Sequence, residues 1–341
     1  MNVLVTGNNG YIGPVLTNKL IKKKFNVVGY DSNFFYDCHL NKPDNNFTQI
    51  VKDIRNIDEK DLSGIDSIIH LAGLSNDPLG ELSPKLTDEI NFKATIKLAK
   101  MAKKMNIKRF VYASTQSMYG ISNNSKELKE SDDKNPITEY AISKWKVEKE
   151  LVNLADTNFI VVFFRPSTVF GFSSRLRCDI VYNSLIGSAL TNGKIEIYSD
   201  GTPWRPVVHI EDVCDAFISG LLAPEGIING ESFNVGIRNG NYTVKQLANE
   251  VINLIPNCEI TYLNKHTDPR TYKVSFTKIF DKLKDYYKPN WNLYNGGEDL
   301  ILKLKKCNFD RDLFTGRICN RITQLKYLIE NKFINEDLLW K

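Results

Sequence analysis

The first half of the chain alternates between short apolar runs and longer segments in which apolar residues recur every three or four positions. The runs predict buried strands, and the three-to-four spacing predicts amphipathic helices. We expect strands at 1–6, 26–30, 47–51, 67–71, 109–113 and 159–164, and helices at 11–24, 84–105 and 139–154. Strands that alternate with helices favour a doubly wound α/β fold, with a parallel sheet covered on both faces.

Beyond Gly171 the alternation weakens, although helices are still predicted at 179–191, 211–222 and 244–254. Loops rich in Gly, Pro and Asn separate them, so we expect a smaller, lid-like domain that returns strands to the main sheet. From about Cys307 an amphipathic tail follows, with ITQLKYLIENKFINEDLLW at 322–340. The predicted divisions are residues 1–170, residues 171–306 and this C-terminal tail, residues 307–341, whose role the pattern leaves open.

Composition narrows the class of protein. The net charge of +5 arises from 45 basic and 40 acidic residues that are interspersed, which does not indicate a nucleic-acid surface. The six cysteines form no CxxC pair and have no histidines at ligand spacing, so we expect no metal site and a reducing, cytoplasmic compartment. No apolar run approaches the ~20 residues that span a bilayer. The glycine loop begins at Gly7, which leaves no room for a signal peptide.

The segment VTGNNGYIG at 5–13 places Gly7, Gly10 and Gly13 between a predicted strand and a predicted helix. In that setting the N–H groups that open the helix face a dinucleotide pyrophosphate, and the glycines allow a tight turn and close approach. Asp31 ends the next strand, where a carboxylate accepts hydrogen bonds from a ribose diol and repels a 2′-phosphate. The pattern predicts a phosphate-binding loop and favours NAD over NADP; the alternative is a glycine-rich turn that binds nothing.

The segment YAISK at 140–144 places a tyrosine and a lysine on one face of a predicted helix. A neighbouring ammonium lowers the pKa of a phenol from about 10, so Tyr140 beside Lys144 can act as a general base on a sugar hydroxyl. Ser114 and Thr115 follow a predicted strand, where a hydroxyl can stabilise charge on the reacting oxygen. Alone, these residues also fit an exposed Tyr/Lys pair and a polar strand end; the glycine loop favours catalysis.

Together these motifs resemble the extended short-chain dehydrogenase/reductase family, the nucleotide-sugar epimerases and dehydratases. The resemblance runs from the glycine loop to about Gly297. TGNNGYIG is similar to the family's TGxxGxxG loop, and HLAG at 70–73 to its strand-four signature. It implies a Rossmann-type sheet with a smaller C-terminal substrate-binding domain, NAD as cofactor and a nucleoside-diphosphate sugar as substrate.

The resemblance also implies roles for individual residues. Thr115, Tyr140 and Lys144 match the catalytic hydroxyl, tyrosine and lysine, and Asn91, in INFKAT, matches the asparagine that supports the proton relay. Arg165-Pro166 corresponds to the segment that lines the nicotinamide pocket. The expected NAD contacts are Gly7, Asn9, Gly10, Tyr11, Ile12, Gly13, Asp31, Asp53, Ile54, Leu71, Ala72, Gly73, Tyr140, Lys144 and Arg165.

On the substrate side, SDGTPWRPVVHIEDV is similar to the stretch whose arginine, here Arg205, binds the nucleotide diphosphate, and Arg270, in DPRTY, matches a second such arginine. Paired guanidinium groups can bind a pyrophosphate bidentately. Without the resemblance, each would be interpreted as a surface or ion-paired arginine. The expected substrate contacts are Ser75, Asn76, Thr115, Gln116, Thr168, Arg175, Asn183, Arg205 and Arg270.

The chain departs from the family pattern at four places. The 4,6-dehydratases carry an Asp-Glu pair after the catalytic threonine, whereas this chain has Gln116 and Ser117, which disfavours water elimination. Thr168 stands where many 4-epimerases have asparagine. The segment SSRLRCDIVYNSL adds Arg175 and Arg177, which can bind substrate or pair with acids. HLAGLSNDPLG places Ser75 and the two residues after it beside the expected sugar, which permits an unusual sugar.

Three functions are consistent with these motifs. The first is an NAD-dependent epimerase of a nucleoside-diphosphate sugar, acting at C4 through a transient 4-keto sugar. The second is a net oxidoreductase, a 4-dehydrogenase or 4-ketosugar reductase, which uses the same residues and releases the keto sugar. The third is a non-catalytic nucleotide-binding relative, which usually lacks the tyrosine or lysine. Family members dimerise through the helices that here carry Asn91 and Tyr140, so we expect a homodimer without nucleic-acid or membrane partners.

Overall fold

The computed structural model describes residues 1–42, 46–75, 83–122, 126–265 and 270–341. The described strands are β1 (Asn2–Thr6), β2 (Asn26–Asp31), β3 (Thr48–Val51), β4 (Ser67–His70), β5 (Arg109–Ala113), β6 (Glu127–Leu128), β7 (Ile160–Pro166), β8 (Thr168–Phe170), β9 (Lys194–Ile197), β10 (Trp204–His209), β11 (Glu231–Val235), β12 (Asn241–Thr243), β13 (Glu259–Tyr262) and β14 (Lys273–Val274). The strands expected in the first half are all present, with ends shifted by at most two residues.

Seven parallel strands form the central sheet in the order β11-β7-β5-β4-β1-β2-β3. The chain builds one half outward from β1 to β3 and then crosses back to start the other half at β4. The switch point between β1 and β4 opens a crevice at the carboxyl ends of the strands, which is where such sheets bind ligands. The predicted doubly wound α/β fold is confirmed.

The described helices are α1 (Gly13–Lys22), α2 (Pro84–Thr87), α3 (Ala94–Lys104), α4 (Glu139–Leu151), α5 (Val181–Asn192), α6 (Ile210–Leu222), α7 (Glu225–Ile228), α8 (Val244–Leu254), α9 (Thr277–Lys282), α10 (Leu293–Lys306), α11 (Arg311–Thr315) and α12 (Arg321–Glu330). A π-helical turn, Asp88–Lys93, joins α2 to α3, so the single helix predicted at 84–105 has a local irregularity in the turn that contains Asn91. The helix predicted to end at 154 ends at Leu151 and continues as a short 3₁₀ turn.

The second half of the chain returns to the main sheet through β11, which pairs in parallel with β7. One strand of this half therefore lies in the main sheet. The remaining strands form small sheets beside the carboxyl edge, in the orders β12-β10-β8, β13-β9 and β14-β6. They place the segment that carries Arg205 opposite the glycine loop.

The C-terminal tail packs against the first half of the chain. Leu325 and Leu328 of α12 are buried in the same core as Leu4 of β1 and Phe110 of β5. Their spacing of three residues puts both on the apolar face that the sequence pattern predicted. The tail is therefore a structural part of the sheet's outer layer. Within the described residues, no helix is long and apolar enough to cross a membrane.

Candidate active site

A cavity of ≈ 600 Å³ lies at the carboxyl edge of the sheet, between the glycine loop and the small sheets of the second half. Residues from both halves of the chain line it, including Gly7, Asp31 and Tyr140 on one side and Arg205 and Arg270 on the other. Clefts at this switch point bind nucleotides in doubly wound folds. The cavity therefore joins the predicted phosphate loop, the predicted catalytic residues and the predicted diphosphate arginines.

The glycine loop turns tightly from β1 into α1. Gly7 has φ of +72°, and a Cβ there would lie 2.7 Å from the backbone nitrogen of Ala72 on the neighbouring strand. At Gly13, the first residue of α1, a Cβ would collide with the backbone of Asn8. Only glycine fits either position, because one needs a left-handed backbone and the other a close contact. The N-terminus of α1 is thereby left open to the cavity, as a pyrophosphate site requires.

Asp31 ends β2 and presents its carboxylate to the cavity. Its two oxygens accept hydrogen bonds from the backbone N–H groups of Asn9, at 3.0 Å, and Asn33, at 2.7 Å. Burial raises the pKa of Asp31, while these N–H groups and the Arg175 guanidinium act in the opposite direction. The Asn9 N–H joins the carboxylate to the glycine loop, so a ribose bound at Asp31 would lie next to a phosphate bound at the start of α1.

Other predicted NAD contacts also line the cavity. Asp53 and Ile54 follow β3, and Leu71, Ala72 and Gly73 follow β4. The Asp53 carboxylate is held by Arg55, whose Nε and Nη2 donate to it at 3.0 and 2.8 Å. Asp53 thus lines the cavity with its side chain oriented by an ion pair to Arg55.

Tyr140 and Lys144 lie on α4 and both line the cavity, together with Thr115 after β5. The Lys144 ammonium donates to the carbonyl oxygen of Ala113 at 2.7 Å and lies 5.9 Å from the centre of the Tyr140 ring. Burial lowers the pKa of Lys144 to about 7, against a favourable charge from Glu148. The spacing predicted from the sequence therefore places Tyr140 and Lys144 on one face of α4 toward the cavity, which we call the candidate catalytic face.

Two buried groups hold this face in place. Asn91 accepts a hydrogen bond from the backbone N–H of Leu74 at 2.8 Å and donates to the Ser143 hydroxyl at 3.2 Å. It thereby ties the end of β4 to α4. Glu148, one turn beyond Lys144, accepts from Ser114 at 2.5 Å and pairs with Arg165 at 2.6 Å. Both interactions connect α4 to the strands beneath the site.

The substrate side of the cavity is built by β8, β10 and the segment around Arg270. Arg205 on β10 donates to the Trp204 carbonyl at 2.9 Å and to the Arg270 carbonyl, which keeps the two arginines together. Ser75 and Thr168 also line the cavity. Two arginines that line one side of the cavity suit an anionic diphosphate.

Six of the expected site residues are not among the residues that line the cavity. The Arg165 guanidinium is buried against Glu148, and the neighbouring Pro166 lines the cavity in its place, since successive strand residues point to opposite faces. The Gln116 amide donates to the carbonyl oxygens of Arg165 and Val235. Asn9, Asn91, Arg175 and Asn183 likewise make internal hydrogen bonds. Asn76 lies outside the described residues.

Several lining residues were not among the predicted contacts. Arg177, rather than Arg175, reaches the cavity, where it pairs with Asp179 at 2.9 Å and donates to Ser75. Phe34 and Phe35 follow Asp31 closely in sequence, which is a signal that could have suggested them. Arg321 also lines the cavity although it lies in the C-terminal tail, and no local motif marks it.

The sequence of this chain matches the model of a known protein family. Residues 3–236 match the model of the NAD dependent epimerase/dehydratase family. The chain belongs to this family. The match covers the glycine loop, the catalytic face and β11, and it ends before Arg270 and the C-terminal tail.

Relatives in the family support the same assignment. The chain is 31% identical over 251 residues to an uncharacterized UDP-glucose epimerase, YtcB, of Bacillus subtilis (strain 168), covering 69% of this chain and 77% of the relative. It is 27% identical over 232 residues to a putative UDP-glucose 4-epimerase of Methanocaldococcus jannaschii, covering 67% and 75%. A UDP-N-acetylglucosamine 4-epimerase of Methanobrevibacter ruminantium, solved with UDP-N-acetylmuramic acid, superposes with a TM-score of 0.79 at 26% identity, over 89% of this chain and 98% of that chain.

NAD fits the site on the structure's own geometry. A Cβ at Gly7 or Gly13 would collide with neighbouring backbone, so glycine at both positions keeps the loop tight beside the cavity. The Asp31 carboxylate faces the cavity next to this loop. A UDP-glucuronic acid 4-epimerase of Bacillus cereus, solved with UDP-glucuronic acid and NAD, has a TM-score of 0.76 at 25% identity, over 90% of this chain and 99% of that chain. The protein is therefore an NAD-dependent enzyme of the epimerase/dehydratase family.

Proposed function

We propose that this enzyme epimerises a nucleoside-diphosphate hexose at C4. The observation that carries the proposal is one cavity lined by the glycine loop, by Thr115, Tyr140 and Lys144, and by the paired Arg205 and Arg270. Residues 1–170 would hold NAD, and residues 171–306 would hold most of the sugar nucleotide. The relatives named for UDP-glucose favour uracil as the base of the substrate nucleotide.

The glycine loop and Asp31 would hold NAD, which would supply the hydride acceptor and donor that inversion at C4 requires. The chain's own residues handle the proton and the binding energy. Tyr140 takes the proton of the 4-hydroxyl, Lys144 favours the phenolate, and Thr115 donates a hydrogen bond to the reacting oxygen. Arg205 and Arg270 hold the diphosphate, so that the sugar can turn without leaving the site.

Dehydration is disfavoured by the two residues that follow Thr115. Water elimination needs an acid and a base there, and neither Gln116 nor Ser117 supplies a titratable group in the required range. The Gln116 amide also donates hydrogen bonds to the carbonyl oxygens of Arg165 and Val235, at 2.9 and 3.3 Å. An internal redox cycle without elimination matches the groups that line the cavity.

The test is a time course with UDP-hexoses, followed by dTDP-, GDP- and CDP-hexoses, in which sugar configuration and nicotinamide absorbance are recorded together. Inversion at C4 without accumulating NADH is the expected result. Stoichiometric NADH with release of a 4-keto sugar would replace the epimerase by a net oxidoreductase. Binding of NAD without turnover of any nucleotide sugar would contradict the proposed function and favour a non-catalytic relative.

We also propose a cytoplasmic homodimer. All six cysteines are free, and five of them are buried, as in a protein kept reduced. Phe92 in the π-helical turn and Ile96 on α3 are half-buried and one turn apart, and Trp145 on α4 is also half-buried. These positions offer apolar area for a helix-to-helix interface. Light scattering after gel filtration should give twice the chain mass, and Phe92→Glu should halve it.

A further inference from the structure

The C-terminal tail covers the segment that follows Asp31. The Gln324 amide donates to the Phe34 carbonyl at 2.9 Å, and the Trp340 indole N–H donates to the Ser32 carbonyl at 2.6 Å. The rings of Phe34 and Trp340 lie 5.9 Å apart. These contacts bring the tail, which lies beyond the family match, to the adenosine half of the cofactor site.

One tail side chain enters the cavity wall itself. Arg321 opens α12, is 2% exposed, and lines the cavity. Its Nη2 donates to the Arg175 carbonyl at 2.7 Å, and its guanidinium lies 4.6 Å from the centre of the Phe35 ring. Among the described residues, Nη1 has no hydrogen-bond partner. A buried guanidinium with one idle N–H pair indicates a missing acceptor.

The charges around Arg321 point to an anion. Arg175, Arg177 and Arg321 are all buried here. Asp179 forms an ion pair with Arg177, while the Asp31 carboxylate interacts electrostatically with both Arg175 and Arg321. Burial and the like charge of Arg177 lower the pKa of Arg321 to about 10. Asp31 and Asp179 line the cavity and act on these three guanidinium groups, so an anionic ligand would help to balance the cluster.

The position of Arg321 indicates which part of the dinucleotide it would contact. Its charge interacts with that of Asp31, at the expected ribose end, and with that of Arg177, which donates to Ser75 beyond β4. Arg321 is linked to the glycine loop through Arg175. Arg321 donates to the Arg175 carbonyl, and the Arg175 side chain donates to the Asn9 side chain at 3.3 Å. In a doubly wound fold the pyrophosphate lies between the ribose carboxylate and the nicotinamide, at the start of the first helix. Arg321 lines the same cavity as Asp31 and the glycine loop, and its Nη1 has no hydrogen-bond partner among the described residues.

We propose that Arg321 is a cofactor-binding residue, whose guanidinium binds a pyrophosphate oxygen of NAD and so makes the C-terminal tail part of the cofactor site. This inference rests on NAD as the cofactor and not on epimerisation at C4. A protein that binds NAD but fails to epimerise any sugar leaves it intact.

The test measures binding of NAD, ADP and adenosine to nucleotide-free protein by calorimetric titration or competition. Arg321→Gln should raise the Kd for NAD and ADP about 10- to 100-fold and leave that for adenosine within twofold, because only the first two carry phosphate. Arg321→Lys should recover part of the loss. Lys326→Gln removes an exposed positive charge from the same helix and should change nothing.

Unchanged NAD and ADP binding in folded Arg321→Gln would overturn the proposal. An equal loss for adenosine would also overturn it, because it would assign Arg321 a structural role only. Should the variant not fold, hydrogen exchange on the unaltered chain decides. Saturating ADP should slow exchange at 321–330 more than saturating adenosine does, and equal protection by the two would refute the phosphate contact.

Discussion

At the scale of single residues, the catalytic face depends on side chains four positions apart on α4. Tyr140 and Lys144 both line the cavity, and Lys144 is anchored by the Ala113 carbonyl at 2.7 Å. In the proposed mechanism the tyrosine carries the reacting proton, whereas the lysine acts on the tyrosine through its charge. Substitutions at the two positions should therefore have different signatures.

Tyr140→Phe should lower kcat by about 10²- to 10⁴-fold, because it removes the proton acceptor and keeps the ring. The Kd for NAD should change less than threefold, since the glycine loop and Asp31 are untouched. Turnover and NAD titration on the same preparation check both values. Turnover close to that of the unaltered enzyme would contradict the role of Tyr140 and the proposed mechanism with it.

Lys144→Met should stabilise the nucleotide-free protein at neutral pH while abolishing turnover. The pKa of Lys144 is about 7 in the folded chain and 10.5 in its ordinary state, so the unfolded chain binds more protons between these values. The cost of burying the lysine is full below pH 7 and decreases as the pH rises toward 10.5. Its size is on the order of a few kcal/mol.

Urea unfolding of both proteins at pH 6, 8 and 10 measures this effect. The gain in free energy of unfolding should be largest at pH 6 and should shrink by pH 10. The nearby ionisable groups are Glu148 on the same helix, Tyr112 on β5, Tyr140 and His70. A pH-independent difference, or a loss of stability at pH 6, would show that Lys144 is not destabilised by burial.

At the scale of elements, α4 is joined to β7 by a buried ion pair. Arg165 donates from Nε and Nη2 to the two Glu148 oxygens, at 3.0 and 2.6 Å, and each side chain is 3% exposed. The Tyr119 hydroxyl and the Ser114 hydroxyl complete the network. Its geometry is that of a support beneath the catalytic face.

Arg165→Met should lower the free energy of unfolding by about 3–5 kcal/mol, because it leaves the Glu148 charge buried without its partner. In protein that remains folded, the Kd for NAD should change less than threefold, since Arg165 lies outside the cavity. Arg311→Met, at an exposed arginine, serves as the control and should cost under about 0.5 kcal/mol. A large change in NAD affinity with little loss of stability would restore the cofactor contact that the family resemblance implies.

At the scale of the whole molecule, the last residues of the chain complete a site that begins with its first strand. The Trp340 indole bonds to Ser32, and Arg55 donates to the Asp337 carbonyl at 2.9 Å. The tail thus fixes the segments that flank Asp31 and Asp53, which form the adenosine half of the cavity. Cofactor affinity and the packing of the tail should be coupled.

Trp340→Ala should raise the Kd for NAD a few-fold and cost about 1–2 kcal/mol of stability, because it removes the bond to Ser32 and the ring contact with Phe34. Phe333→Ala is the matched control, since Phe333 is exposed to a similar extent and contacts Tyr327 instead. Titration calorimetry and thermal melts compare the two variants. Equal effects on NAD binding would mean that the tail acts only through general stability.

Local patterns in the sequence were sufficient for the strands, the glycine loop and the tyrosine–lysine face. Gly7 and Gly13 are required by backbone sterics within a few residues, and the four-residue spacing of Tyr140 and Lys144 follows from helix geometry. Such features depend on short stretches of chain, so a short stretch predicts them. The family resemblance extended the prediction to Arg205 and Arg270, which line the same cavity.

Contacts between distant parts of the chain were decided only by the tertiary structure. Arg175 and Arg177 are two residues apart in an irregular loop, and only packing against Tyr36 and Asp179 directs one behind the wall and the other into the cavity. The Arg165 guanidinium forms a buried ion pair with Glu148, so Pro166 lines the cavity and Arg165 does not. Arg321 reaches the cofactor site through the burial of Leu325 and Leu328 in the sheet's core. The sequence alone thus determined the elements and the chemistry of the site, and long-range packing determined which side chains enter it.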